Sequence, residues 1–104
     1  MNVLITGGSG LIAGRLAESI KNTCNVTLIS RKKISPIDRV KIITTHKIDT
    51  KALLSQDVII HAASPNDKEC DDKKTRQEYL KDTKILIDNA IESNVRKFIF
   101  RIKR

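Results

Sequence analysis

Apolar residues recur along this chain in two alternating rhythms. Val3 to Thr6, Val26 to Ser30, Val40 to Thr44, Asp57 to Ala62 and Lys97 to Ile102 are short runs rich in Val, Ile, Leu, Thr and Phe. Such runs, bounded by turn residues, predict largely buried strands. Between the first two, Leu11, Ile12, Leu16 and Ile20 fall on one helical face and predict a helix from Gly10 to about Lys21. A longer helical pattern runs from Asp72 to Glu92, with Leu80, Ile85, Leu86, Ile87, Ala90 and Ile91 apolar. Ser93-Asn94 ends it, and Asn94 suits a left-handed cap. Lys51 to Ser55 reads as a short helix, Asn22 to Asn25 as a turn, and Ser64-Pro65-Asn66-Asp67 as a loop. Pro36, within Ile34-Ser35-Pro36-Ile37, interrupts any long helix between the second and third strands.

Strands alternating with helices imply a parallel sheet with right-handed crossovers. The expected architecture is α/β, a Rossmann-like doubly wound parallel sheet with strand order 3-2-1-4-5. In such sheets ligands bind where the strand order reverses, here between strands one and four.

Composition narrows the picture without naming a chemistry. The chain has 104 residues, 39% hydrophobic and 31% charged, which suits one globular domain over residues 1–104. No apolar run has the length of a membrane span, and the opening apolar run turns to glycine at once, unlike a leader. A cytoplasmic protein is expected. Cys24 and Cys70 lack metal-site or CxxC spacing and read as reduced, structural thiols. The net charge of +8 raises nucleic acid as a partner. Its lysines are spread among acids, however, and Tyr79, Phe98 and Phe100 are the only aromatics, so no stacking platform is visible.

The candidate chemistry begins at Thr6-Gly7-Gly8-Ser9-Gly10-Leu11-Ile12-Ala13-Gly14. A strand, a glycine-rich turn and a helix N-terminus together form a cradle for a dinucleotide pyrophosphate. Gly7 is expected to allow the tight turn, Gly10 the close approach of phosphate, and Ala13 the packing of helix on strand.

The end of strand two selects among such cofactors. An acid about 20 residues beyond the turn usually binds the ribose hydroxyls of NAD. Here the sequence is Ser30-Arg31-Lys32-Lys33. Arg31 can pair bidentately with a 2′-phosphate and Lys32 can add charge, which favours NADP(H) over NAD(H). The plainer alternative is a solvated loop. Asp49 lies where adenine is expected, or caps the helix before Lys51. Ala62 and Ala63 are small enough for a cofactor to cross the sheet edge, or simply pack closely. His61 reads as a packing residue, because no nucleophile accompanies it; His46 reads as solvated.

Thr6 to Ala13, Asp49, and Asp57-Val58-Ile59-Ile60-His61-Ala62-Ala63 together resemble the extended short-chain dehydrogenase/reductase family, the NAD-dependent epimerase/dehydratase type. Thr83, Leu86 and Val95 to Phe100 extend the resemblance over essentially the whole chain. Many members act on nucleotide sugars. The resemblance implies that Gly7, Gly8, Ser9, Gly10, Leu11 and Ile12 bind the cofactor, with Arg31 at the 2′-phosphate, Asp49 at the adenine, and Ala62 and Ala63 at the central ribose and phosphate. The chain departs from the family at Tyr79, where Asn is usual, and at Ala13, where the third glycine of the turn is replaced.

It departs further at its end. Family members continue with a Ser-Ser stretch, a Tyr-x-x-x-Lys pair and a substrate domain, in which Tyr exchanges a proton with substrate and Lys lowers its pKa. Here Tyr79, the single tyrosine, is followed four residues later by Thr83, and reads as a helix-surface residue. No catalytic or metal-binding residue is assigned. The expectation is a dinucleotide-binding domain, truncated after strand five and without independent catalysis. The alternatives are a non-catalytic nucleotide sensor or interaction module, or one half of a split oxidoreductase. An uncovered fifth strand predicts marginal stability, self-association, a partner chain, or dependence on the cofactor.

Overall fold

The computed structural model describes residues 1–8, 10–45, 53, 55–62, 73–93 and 95–100. The elements are β1 (Asn2–Thr6), α1 (Leu11–Ile20), β2 (Asn25–Ser30), β3 (Val40–Thr44), β4 (Val58–His61), α2 (Lys73–Glu92) and β5 (Lys97–Phe100). The strands form one parallel sheet in the order β3-β2-β1-β4-β5, as the alternation of patterns implies.

Two-residue alternation divides the strands between two faces. Val3 and Ile5 of β1, with Val26 and Leu28 of β2, pack on Ala13 and Ala17 of α1. Leu4, Ile29 and Ile59 turn the other way, against Leu86 and Ala90 of α2. Leu53 is fully buried in the same second cluster; it and Ser55 are the described part of the stretch expected as a short helix. Ala13 is buried against the sheet, so its small side chain lets the helix approach, as expected.

No helix covers the first face between β2 and β3. Residues 33–37 lack regular structure, and Ile34 and Ile37 are laid against the first cluster in place of a helix. Pro36 is the local reason: it removes a backbone donor and clashes with a preceding turn.

The ends of β4 are shorter than its apolar run suggested. Asp57 leaves the strand to serve the base of the sheet. Its carboxylate accepts from the backbone N–H of Asn2 at 2.8 Å, and its carbonyl accepts from Arg96 and Lys97. Gly10 and Lys21, the outer bounds of the expected first helix, are its two caps. Asn94, the Ser64–Asp67 loop, His46, Cys70 and Arg101–Ile102 lie outside the described residues. Cys24 is a half-buried free thiol packed on the first cluster. Among the described residues no helix is long and apolar enough to cross a membrane.

Candidate functional site

The parallel register brings three strand ends together. Thr6 is paired with Ile29 on one side and with His61 on the other. The chain leaves β1 between β2 and β4, at the point where the strand order reverses.

The turn that follows is held by backbone geometry. Gly7 has φ of 78°, a left-handed conformation that an L side chain strains to adopt. Gly10 N–H donates to Gly7 C=O at 2.9 Å and closes the turn. Gly8 has a tertiary reason that its place in the motif did not disclose. Its N–H donates to Ile29 C=O at 2.8 Å, which presses it onto β2. A Cβ there would meet Ile29 O, Leu28 Cγ and Ser30 Cβ, each at 3.0 Å. A Cβ on Gly10 would meet Gly7 O at 3.2 Å.

Helix α1 starts immediately after this turn. Its N-cap is Gly10, extended at φ −82° and ψ 151°, with no side chain bonded over the helix end and no acid in the first turn. The unpaired N–H groups of a helix start and its partial positive charge are therefore open to an anion. Leu11 and Ile12 occupy the first turn. An open groove of about 520 Å³ runs along the outer side of α1, lined by Gly10, Gly14, Arg15, Glu18, Ser19 and Ile37. Among its described lining residues, Gly10 alone belongs to the glycine turn.

His61 ties this end of the sheet together. Its Nδ1 lies 2.7 Å from Thr6 Oγ1 and its Nε2 lies 3.1 Å from Thr83 Oγ1 on α2. A neutral imidazole donates through one nitrogen and accepts through the other, and a hydroxyl can do either. Burial first, and the charge of Arg31 second, lower its pKa from 6.5 to about 4. It therefore stays neutral at pH 7, with both nitrogens engaged, which fits a packing residue rather than a proton carrier. Phe98 stacks obliquely beside it, with ring centroids 6.2 Å apart.

Arg31 stands just beyond β2, its guanidinium exposed and paired with Asp82 of α2 at 3.3 Å. Ser30, buried beneath, binds the backbone N–H of Lys32 through its hydroxyl at 3.1 Å and shapes the strand exit. Ala62 follows β4 directly and packs on the first cluster. Gly7, Gly8, Gly10, Leu11, Ile12, Arg31 and Ala62 thus gather at one end of the sheet. Ser9, Asp49 and Ala63 lie outside the described residues. Tyr79 falls within α2, its side chain outside the described set. Thr83 was legible only through the family resemblance, and Asp82 carried no local signal.

The NAD dependent epimerase/dehydratase family model matches residues 3–101. The chain belongs to that family. Among solved structures, the oxidoreductase ylbE of Lactococcus lactis is 21% identical with a TM-score of 0.74, over 96% of this chain and 47% of its own. The UDP-glucuronic acid 4-epimerase of Bacillus cereus, solved with NAD, is 20% identical with a TM-score of 0.70, over 96% and 39%. The UDP-glucose 4-epimerase of Thermotoga maritima is 19% identical with a TM-score of 0.68, over 96% and 37%. At these identities the likeness establishes the fold. The chain spans less than half the length of each of these neighbours. No curated protein matches it in sequence.

The donor set of this epimerase/dehydratase chain fits a dinucleotide. Gly7, Gly8 and Gly10 bring no side chain to the turn, the helix start carries no competing carboxylate, and a guanidinium stands at the tip of β2.

Proposed function

We propose that this chain is the cofactor-binding part of an epimerase/dehydratase-type oxidoreductase and holds NADP(H) in preference to NAD(H). The observation that carries the reading is the Gly7–Gly10 turn, pressed onto β2 and opening onto a bare helix start at the reversal of the sheet. Gly7, Gly8, Ser9, Gly10, Leu11 and Ile12 would hold the pyrophosphate. Arg31 would meet the 2′-phosphate, Asp49 the adenine, and Ala62 and Ala63 the central ribose. A nicotinamide bound there supplies a hydride donor or acceptor.

The proposed substrate class is a nucleotide sugar or a similar molecule, by analogy with the UDP-sugar epimerases that share the fold. The sequence contains no Tyr-x-x-x-Lys pair. The chain alone is therefore expected to bind cofactor without turning substrate over, since a missing acid–base pair costs about 10²–10⁴ in rate.

Calorimetric titration of the purified chain tests the reading. Saturable NADPH binding, tighter than NADH binding, supports it. NADH binding as tight as NADPH retires the 2′-phosphate assignment, and binding of neither retires the site.

Among the described residues β5 is the last strand of the sheet, and Leu80, Ile87, Ile91 and Ile99 are exposed, which supports a cover from outside these residues, a second copy or another chain included. A concentration-independent monomer with a sharp melt at high temperature, in the absence of ligand, would overturn that expectation.

A further inference from the structure

Two-residue alternation decides where Arg31 goes. Ile29 faces α2, and Ser30 turns towards Gly8 on the other face. Arg31, leaving the strand, returns to the α2 side. There its Nη2 meets Asp82 Oδ2 at 3.3 Å, across 51 positions of sequence. Asp82 cannot drift far, because its neighbour Thr83 is buried and bonded to His61, which is bonded in turn to Thr6. After burial, the charge of the same guanidinium is the second cause that lowers the basicity of His61 at the end of β4.

We propose that Asp82 sets cofactor discrimination by competing with the 2′-phosphate of NADP(H) for Arg31. The inference rests on the proposed role of Arg31. Magnitudes decide which partner wins. The pair is exposed, 60% at Arg31 and 54% at Asp82, and engages one guanidinium nitrogen. Such pairs are weak, because water screens them and two long side chains lose freedom. A 2′-phosphate brings more charge and more acceptor oxygens, and can engage the guanidinium through two nitrogens. Arg31 therefore transfers from Asp82 to the phosphate on binding. The broken pair and the carboxylate left beside the phosphate both weaken NADP(H), while NAD(H) leaves the pair intact. Asp82 is thus a restraint on a preference that Arg31 creates.

The test is titration of the full chain and of D82N, R31A and the double variant with NADPH and NADH. Adenosine 2′,5′-bisphosphate and ADP serve as smaller probes of the same difference. D82N should tighten NADPH and the bisphosphate about two- to fivefold, the range an exposed ion pair releases. NADH and ADP should be unchanged, and the gain should vanish when R31A is added. D82E should keep the original NADPH-to-NADH ratio. Asp82 is exposed, so D82S serves as a second uncharged variant, with circular dichroism melts checking the fold of each. Equal tightening of NADH and NADPH, or no change in D82N while R31A still weakens NADPH, overturns the role of Asp82 and leaves that of Arg31. An R31A variant that binds NADPH like the original chain removes the reading beneath it.

Discussion

The glycine turn and the tip of β2 face the same end of the sheet, yet they are built from different physics. The turn is a matter of backbone and excluded volume. Gly7 has a left-handed φ, and a Cβ on Gly8 would crowd a backbone oxygen and two side chains on the surface of β2. A side chain at either position strains the turn or displaces its neighbours. The tip is a matter of charge on an exposed side chain, whose partner can be exchanged at small cost. The proposed cofactor site would thus separate a rigid part that fixes position from a soft part that tunes choice. His61 joins them: it bonds the residue before the turn, and it feels the charge of Arg31.

The sharpest break of this contrast is expected at Gly8. Gly8→Val places side-chain atoms against a backbone oxygen and two side chains and should destabilise the chain by about 3 kcal/mol. A urea melt with an unchanged midpoint would show that the turn is not fixed by contact with β2. The His61 link should appear in the pH dependence of stability. Its folded pKa lies below the unfolded value, so the unfolded state takes up the proton first as pH falls through 6.5 towards about 4. Stability at pH 8 should drop by about 2 kcal/mol at pH 5 from this group alone. His61→Gln should remove that part of the slope in parallel melts, and an identical slope in both would refute it.

Gly7→Ala should cost about 1–2 kcal/mol, the strain of a left-handed L residue, and should weaken NADPH and NADH alike. Arg31→Ala, at the soft end, should leave the melt in place within about 0.5 kcal/mol. It should weaken NADPH roughly tenfold, the worth of a charge-assisted contact, and spare NADH. A matched loss for both cofactors would dissolve the distinction between the two regions.

The elements at this end of the molecule differ in how openly they were written. The glycine turn, the basic β2 tip and the apolar run into His61 are local, so neighbouring residues announced them. The covering strap of Ile34 and Ile37 was half legible: Pro36 excluded a helix, but only packing placed those side chains on the first cluster. Asp57 read as the start of a strand and instead ties β1, β4 and β5 at their base, a role that depends on Asn2, 55 residues away. The crowding of Gly8 against β2 is equally non-local. Asp82 was invisible for the same reason, being one charge among many on a polar helix surface.

By itself, the sequence determined the alternation of strands and helices, hence the parallel sheet and its order, because periodicity and turn chemistry act over a few neighbouring residues. It also determined that a glycine-rich turn joins the first strand to the first helix and that no acid follows at the second strand. Only the tertiary structure decided what surrounds those features: Gly8 beneath β2, His61 kept neutral between two threonines, and Arg31 drawn to α2 by Asp82. Those outcomes depend on burial and on charges far apart in the chain, which become neighbours only when the sheet is assembled.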